Sequence, residues 1–215
     1  MTWIHTHRYS QYGQDKWLYD FFNNKDSGTF LDVGALDGVH CSNTLFFEEK
    51  GWTGICIEAS PTNFNDLIKN RTCICEQAVL DSTIRNTTFR NFQGWGKGIC
   101  GISDKYEASH MHRVESLSEH KDNTGDDIIE VRTELLNNVL DRHDIYHFDF
   151  AKIDTEGSEL DILKGLDLEK YIIDVLLVEN NYRTSDVESF LASNYVKHDR
   201  IGDDDVYLRR GYEKL

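Results

Sequence analysis

Two glycines and two carboxylates follow directly after the first apolar segment of the chain, in the stretch TFLDVGALDG (residues 29 to 38). A buried strand that ends in a glycine turn and continues into a helix is typical of nucleotide-binding α/β folds. The dinucleotide fingerprint is GxGxxG, whereas this turn has Gly34 and Gly38 with Asp32 and Asp37 beside them. The turn therefore predicts a doubly wound sheet whose ligand tolerates negative charge nearby.

Apolar strands and amphipathic helices alternate along the first 80 residues, which predicts parallel strands joined by right-handed crossovers. Ser60 and Pro61 mark one helix start, because serine is a favoured N-cap and proline fits the first helical turn. The segments FDFAKID (148–154) and DVLLVEN (174–180) predict two further buried strands. YVKHDRI and DDVYLRR predict a closing antiparallel pair.

The middle of the chain is less regular. Residues 104 to 127 are rich in polar and charged side chains, and regular patterns resume after them, with a predicted helix over 133 to 143. We interpret 104–127 as an insertion or a cover over the active site. The chain from 1 to 215 is therefore predicted to form a single domain.

The charge of the chain argues against nucleic acid and membrane as partners. Lys plus Arg number 23 against 38 Asp plus Glu, so the formal net charge is −15, and this field repels phosphate backbones and anionic lipids. No stretch approaches 18 apolar residues, and the first residues lack the apolar core of an export signal, which predicts a cytoplasmic protein. The five cysteines lack CxxC spacing and are predicted to be reduced thiols.

The acidic turn discriminates between two nucleotide cofactors. NAD would place a pyrophosphate on this turn, and a carboxylate beside it costs up to a few kcal/mol at an effective dielectric of about 20. S-adenosylmethionine has no phosphate and carries an ammonium and a sulfonium group, so Asp32 and Asp37 favour it. Glu58 ends the second predicted strand 26 residues after Asp32, where a carboxylate can bind the ribose hydroxyls of either cofactor. S-adenosylmethionine is the predicted cofactor, and an NAD-dependent oxidoreductase is the less favoured alternative.

Several segments within residues 8 to 210 together resemble the FkbM family of S-adenosylmethionine-dependent O-methyltransferases. The motif KIDTEGSELDILKG after a glycine turn is the most specific of them, and the others are YSQYGQDKWL, FLDVGALDG, GICIEASP, GICGIS, VLLVEN and YVKHDRIGDDDVYLRR. The compact, acidic form is similar to that of large DNA viruses and microbial glycan-modifying loci. The resemblance implies a Rossmann-like class I methyltransferase fold, with a mostly parallel seven-stranded sheet and an antiparallel C-terminal hairpin. It also implies methylation of a hydroxyl, usually on a sugar or polyketide scaffold.

The turn and the resemblance together provide a set of candidate cofactor-binding residues. Asp32, Gly34 and Glu58 would contact the cofactor, and Gln77 and Ala78 would lie near the adenine. By the same resemblance, Ser10, Gln11, Gln14 and Asp15 would pack beside the glycine turn. The full candidate set is Gln14, Asp32, Gly34, Ala35, Asp37, Glu58, Gln77 and Ala78.

Acidic side chains also follow two later predicted strands, at the edge where doubly wound folds gather their reactive groups. Asp154 and Glu156 follow one strand, and Glu179 and Asn180 end the next. We predict Asp154, Glu156 and Glu179 as catalytic residues. Asp154, Glu179 and Asn180 are also a candidate set of ligands for Mg²⁺ or Mn²⁺. Activation of the acceptor hydroxyl by a metal ion and general-base catalysis by Asp154 both fit these residues.

These features predict an enzyme that transfers a methyl group from S-adenosylmethionine to a hydroxyl of a sugar, a glycan or a similar polyhydroxylated acceptor. The expected partner is thus a small molecule or an oligosaccharide. The non-enzymatic alternative is a methyltransferase-like module that binds the cofactor without turnover.

Overall fold

Strands make up the larger part of the regular structure within the described residues. The computed structural model describes residues 9–106 and 123–212 of the chain. Ten strands lie in these residues: β1 (Thr29–Val33), β2 (Thr53–Glu58), β3 (Ile74–Gln77), β4 (Asn86–Gly94), β5 (Gly101–Ile102), β6 (Asn123–Arg132), β7 (His147–Ile153), β8 (Ile172–Glu179), β9 (Tyr195–Ile201) and β10 (Asp204–Arg209).

Seven of these strands form a central sheet in the order β3-β2-β1-β7-β8-β10-β9. β1 pairs in parallel with β2 and β7, and the pairs β2–β3 and β7–β8 are also parallel. β10 is antiparallel to both β8 and β9, so the chain closes with an antiparallel hairpin. The predicted α/β fold, with its mostly parallel seven-stranded sheet and C-terminal hairpin, is confirmed.

Apolar side chains cover both faces of this sheet. Along β1, Leu31 and Val33 pack on one face and Phe30 on the other, as the alternation of a strand requires. Phe150 on β7 packs with Phe30, and both side chains are fully buried. Asp32 therefore lies on the Phe30 face, where it is 3% exposed. A carboxyl group in that position needs partners within the protein.

Six α-helices within the described ranges accompany the strands: α1 (Gln14–Phe21), α2 (Leu45–Glu49), α3 (Pro61–Asn70), α4 (Leu136–Leu140), α5 (Glu159–Lys164) and α6 (Asp186–Leu191). α3 begins as predicted, because Ser60 Oγ accepts a hydrogen bond from the Asn63 amide and Pro61 occupies the first turn. α4 is shorter than predicted, since Glu134 still forms a strand-like bridge with Leu80. None of these helices has the length and hydropathy that crossing a membrane requires.

A separate three-stranded antiparallel sheet, in the order β5-β4-β6, follows the third parallel strand. β4 and β6 pair from Asn86 opposite Arg132 to Gly94 opposite Asn123. A short 3₁₀ helix, Trp95–Ile99, and then β5 follow β4. Residues 123 to 127 belong to β6, so this part of the predicted insertion is a strand. Residues 107 to 122 of that insertion lie outside the described residues.

Candidate functional site

A cavity of about 770 Å³ opens at the carboxyl-terminal edge of the central sheet. Its walls come from the turn after β1, from the ends of β2, β7 and β8, and from the 3₁₀ helix and β5. Doubly wound folds bind their ligands at this edge. The volume lies within the usual range of about 300–1,000 Å³ for small-molecule sites.

Gly34 holds the turn after β1 against the end of β7. Gly34 has a φ of +87°, and a Cβ atom at this position would lie 1.7 Å from the carbonyl oxygen of Asp154. The Gly34 and Ala35 amides donate to the Ile57 carbonyl oxygen at 2.9 and 3.1 Å, and the Asp154 amide donates to the Val33 oxygen at 2.9 Å. Glycine is required here both for the positive φ and for the close approach. The turn therefore brings two of the predicted groups, the glycine turn and Asp154, into contact.

Asp32 lines the cavity at the end of β1 and is held by a buried polar network. Thr44 Oγ1 donates to Asp32 Oδ2 at 2.6 Å, and Arg71 Nη2 donates to Thr44 Oγ1 at 3.1 Å. Burial raises the pKa of Asp32, and the Thr44 hydrogen bond and the charges of Arg71 and Lys152 limit this rise. Asp32 thus lies in the cavity that its place in the sequence predicts.

Asp37, in contrast, does not line the cavity. Its Oδ1 accepts hydrogen bonds from the amides of Val39 and His40 at 3.0 and 2.7 Å, and its Oδ2 forms an ion pair with Lys97 Nζ at 2.6 Å. The structure therefore assigns this side chain to the turn, because aspartate commonly accepts hydrogen bonds from amides two or three residues ahead. Its partner Lys97 lines the cavity instead.

Glu58 ends β2 and lines the cavity with a buried carboxylate. The Leu36 amide donates to Glu58 Oε2 and the Ser60 amide donates to Oε1, both at 2.8 Å. These two bonds fix the carboxylate while each oxygen keeps a further lone pair for a ligand. Burial raises the pKa of Glu58 to about 7. This geometry suits the predicted role as a ribose ligand.

The remaining cofactor candidates divide into two groups. Ala35 and Ala78 line the cavity, whereas Gln77 is exposed at the end of β3 and outside it. The two side chains differ because neighbouring residues of an extended chain point to opposite sides. Gln14 is buried but also outside the cavity: its Nε2 donates to Asp204 Oδ2 at 2.8 Å and its Oε1 accepts from the Tyr12 amide at 2.9 Å. Gln14 thus joins α1 to the closing hairpin.

Three carboxylates converge at the side of the cavity formed by β7 and β8. One oxygen each from Asp154, Glu156 and Glu179 lies within 4.8 Å of the others. Burial, and then the charges of Asp154 and Glu156, raise the pKa of Glu179 well above its usual range. Asn181 Nδ2 donates to Glu179 Oε1 at 2.7 Å. The three predicted catalytic residues are thus brought together.

Asn180, the third predicted metal ligand, is bound by residues of the neighbouring loop and hairpin. Its Nδ2 donates to Asp205 Oδ2 at 2.7 Å and to the Thr184 oxygen at 2.9 Å, and its Oδ1 accepts from the Thr184 amide. Glu179 and Asn180 are consecutive at the end of a strand, so their side chains point in opposite directions. These bonds hold the Asn180 side chain to Thr184 and Asp205, whereas Glu156 lies together with Asp154 and Glu179.

Two buried charged residues that the sequence reasoning missed support this group. Lys152 Nζ lies 3.0 Å from Asp154 Oδ2 and 2.5 Å from Asp204 Oδ1. Burial lowers the pKa of Lys152, but the charges of Asp154 and Asp204 outweigh it and keep the ammonium charged. Glu159 Oε1 accepts from the amides of Thr155 and Gly157 at 2.8 and 3.1 Å. The spacing of Lys152 and Asp154, two apart on a strand, was the available signal.

The charges of the lining decide which ligands fit. Among the described residues, six carboxylates and two lysines line the cavity: Asp32, Glu58, Asp154, Glu156, Glu179, Asp203, Lys97 and Lys152. Lys97 forms an ion pair with Asp37, and Lys152 forms ion pairs with Asp154 and Asp204. An excess of negative charge disfavours a pyrophosphate and favours a ligand with cationic groups. The lining therefore fits S-adenosylmethionine better than NAD.

Comparison with protein families gives one match. Residues 32–208 match the Methyltransferase FkbM domain, and these residues include the glycine turn, Glu58 and the carboxylate cluster. No curated protein sequence matches the chain.

Solved structures of methyltransferases are among those similar to this chain. The methyltransferase FkbM from Methylobacillus flagellatus KT matches with a TM-score of 0.51 at 15% identity, over 85% of this chain and 44% of that chain. The O-methyltransferase from Bacillus cereus, in complex with S-adenosylhomocysteine, matches with a TM-score of 0.45 at 14% identity, over 96% of this chain and 84% of that chain. M. capricolum TrmK, also in complex with S-adenosylhomocysteine, matches with a TM-score of 0.45 at 11% identity, over 90% of this chain and 66% of that chain. The chain thus spans less than half of the first of these.

The family match covers most of the chain, and the first structural match agrees with it in fold. The chain belongs to the FkbM family of S-adenosylmethionine-dependent methyltransferases.

Proposed function

We propose that the protein methylates a hydroxyl group of a sugar, a glycan or a similar polyhydroxylated acceptor. The observation that carries the proposal is the contact between Gly34 and Asp154, which joins the cofactor turn to the cluster of Asp154, Glu156 and Glu179. Transfer to oxygen needs a group that accepts the hydroxyl proton next to the methyl donor, and this cluster provides one.

The residues that would hold S-adenosylmethionine follow from the cavity lining. Glu58 would accept hydrogen bonds from the ribose hydroxyls, the Gly34–Ala35 backbone would lie along the methionyl part, and Ala78 would contact the adenine. Asp32 would face the ammonium group, directly or through water. When bound, S-adenosylmethionine supplies an electrophilic methyl group on a sulfonium centre.

Asp154 is proposed as the group that accepts the acceptor proton. The bound cofactor would supply the methyl group to the acceptor oxygen. The hydroxyl proton passes to the Asp154 carboxylate. Asp154 Oδ2 already contacts Lys152, so the carboxylate is held in place, and the side chain is 36% exposed, within reach of an acceptor. Holding the reacting groups together provides much of the rate in such a displacement.

Glu58→Ala is expected to weaken the affinity for S-adenosylhomocysteine about tenfold or more, because charge-assisted hydrogen bonds contribute about 1.5–3 kcal/mol. Titration calorimetry measures this change. Glu76→Ala is a matched control, since Glu76 lies on β3 and binds Arg142 and His143 outside the cavity. Equal affinities for the wild-type and Glu58→Ala proteins would show that Glu58 does not bind the ribose.

The raised pKa of Glu58 adds a pH dependence to this binding. Because the pKa is raised, the cofactor-free fold favours the protonated Glu58 carboxyl. Protonated Glu58 therefore stabilises the fold at low pH, and this contribution is lost as the pH rises through about 7. Ribose hydroxyls donate to the ionised form, so we expect the affinity for S-adenosylhomocysteine to increase several-fold from about pH 6 to about pH 8. Glu58→Gln should flatten this profile. A profile that is the same in both proteins would assign the titration to another group.

A divalent cation is the second way in which the cluster would activate a hydroxyl. The oxygens of Asp154, Glu156 and Glu179 are of the type that Mg²⁺ and Mn²⁺ prefer. Under this mechanism, EDTA abolishes methyl transfer and Mg²⁺ or Mn²⁺ restores it, whereas Glu156→Gln weakens the response to the ion. Full turnover after exhaustive chelation would exclude a required metal ion and support the general-base mechanism. Activity measured with and without chelator separates the two.

The alternative classes have tests of their own. Thermal stabilisation by NAD and not by S-adenosylhomocysteine would favour an oxidoreductase. Binding of the cofactor without turnover on any hydroxylated acceptor would favour the non-catalytic module. Retention on heparin at physiological salt would favour a nucleic-acid substrate, which the acidic lining opposes.

A further inference from the structure

Three cysteines lie on the face of the sheet that carries Asp32. In the register of the sheet, Asp32 lies beside Cys56 and Cys56 beside Cys75. Cys73 precedes Cys75 by two residues, and its Sγ lies 3.6 Å from the Sγ of Cys56. Two thiols are therefore in direct contact, next to a residue that lines the cofactor cavity.

Arg71 connects these thiols to the glycine turn. Its guanidinium is fully buried and pairs with Glu48 at 2.6 Å. Nη1 donates to the Gly38 carbonyl oxygen at 3.3 Å, and Nη2 donates to Thr44 Oγ1, which in turn binds Asp32. Any shift of the chain at Arg71 would therefore be transmitted to the turn and to Asp32.

Cys73 is the more reactive of the two thiols. It is partly exposed, whereas Cys56 is buried. Hydrogen bonds with Cys56 and Cys75, and then the positive charge of Arg71, lower the pKa of Cys73 and favour its thiolate. The thiolate is the nucleophilic form that reacts with oxidants.

We propose that Cys73 and Cys56 are an oxidation site, at which a hydroperoxide converts the two thiols into a disulfide. The Cys73 sulfur attacks the hydroperoxide, so that an S–O bond forms, the O–O bond breaks and one oxygen leaves as water or alcohol. The Cys56 sulfur then attacks Cys73: the S–S bond forms, the S–O bond breaks and the hydroxyl leaves as water with the Cys56 proton. The two thiols lose two electrons, and the hydroperoxide is reduced by two.

The geometry allows this closure and couples it to the cofactor site. The two sulfurs must approach from 3.6 Å to about 2.05 Å. β3 is an edge strand of the sheet, so its beginning moves without displacing another strand. Cys73 lies two residues after Arg71, and the Cys73 and Thr72 amides both donate to Glu48, the ion-pair partner of Arg71. We therefore expect oxidation to disturb the contacts of Arg71 with the turn.

The test uses the reduced full chain and hydrogen peroxide. Peptide mass mapping without reductant should find a Cys56–Cys73 cross-link, and dimedone should trap Cys73 during its formation. The affinity for S-adenosylhomocysteine should fall at least threefold on oxidation and recover with dithiothreitol. This readout does not depend on the acceptor or on methyl transfer.

The control variants separate this site from general thiol oxidation. Cys73→Ser and Cys56→Ser should both abolish the cross-link and the peroxide effect on affinity. Cys41→Ser should keep both the cross-link and the peroxide effect, since burial raises the pKa of the Cys41 thiol; because Cys41 lines the cavity, its affinity after oxidation is compared with that of the same variant before oxidation. Cys73→Ala is a second variant if serine at this position destabilises the fold. Faster oxidation of Cys41 than of Cys73, or a cross-link that leaves the affinity unchanged, would overturn the proposal.

Discussion

Asp154→Asn is expected to lower kcat for methyl transfer about 10²–10⁴-fold, the usual contribution of a positioned acid or base. The amide cannot accept the hydroxyl proton, but its shape is that of the carboxyl group. The hydrogen bond from the backbone N–H of Asp154 to the Val33 oxygen does not involve the side chain and is kept. Lys152 also keeps Asp204 as a partner. We therefore expect the affinity for S-adenosylhomocysteine to change less than threefold, which steady-state kinetics and calorimetry together would establish.

The control for this variant lies at the other end of the same strand. Asp149, near the start of β7, is buried, forms an ion pair with Lys25 Nζ at 2.5 Å and accepts a hydrogen bond from the Thr29 amide at 2.8 Å. Asp149→Asn should reduce the free energy of unfolding and leave kcat nearly unchanged. If Asp154→Asn retains full kcat, Asp154 is not the base, and Glu179 becomes the next residue to test.

Gly34→Ala is expected to cause the largest structural loss. A methyl group at this position would overlap the Asp154 carbonyl oxygen at 1.7 Å, and the φ of +87° disfavours any residue with a Cβ atom. The strained conformation alone costs about 1–2 kcal/mol, and relief of the overlap requires the β1 turn and the end of β7 to separate. We expect the free energy of unfolding to fall by more than about 3 kcal/mol and the binding of S-adenosylhomocysteine to be lost.

Gly51→Ala isolates the contribution of the backbone conformation. Gly51, after α2, has a φ of +92°, but a Cβ atom there would have no atom within 4 Å. This variant should cost only about 1–2 kcal/mol in urea denaturation and should bind S-adenosylhomocysteine normally. Equal losses for the two variants would mean that the close approach of Gly34 to Asp154 contributes nothing.

The ends of the strands were the predictable part of the site. Glu58 and Asp154 each follow an apolar segment, and the parallel topology that these segments predict brings their ends to one edge of the sheet. The alternation of side chains at those ends is what the sequence reasoning left out. Asn180 follows Glu179 directly, and a one-residue step at a strand end reverses the side-chain direction. Gln77 and Ala78 show the same effect.

Contacts between distant parts of the chain account for the other differences. Asp37 binds Lys97, 60 residues later, and no local pattern marks this pair. β4 and β6 pair with each other across the irregular region that separates them in the sequence. Lys152 interrupts an apolar strand two residues before Asp154, and its second partner, Asp204 at 2.5 Å, comes from the distant closing hairpin.

Methyl transfer from labelled S-adenosylmethionine is the most direct test of the central claim. The protein is incubated with cofactor carrying a ¹³C-methyl group and a panel of neutral, amino and acidic oligosaccharides, and the products are examined by NMR. We expect the label to appear as a methoxy carbon on a sugar ring, with Asp154→Asn giving none above background. Label found only on nitrogen, on a carboxyl group or on nucleic acid would contradict the account, as would bound cofactor without a methylated sugar.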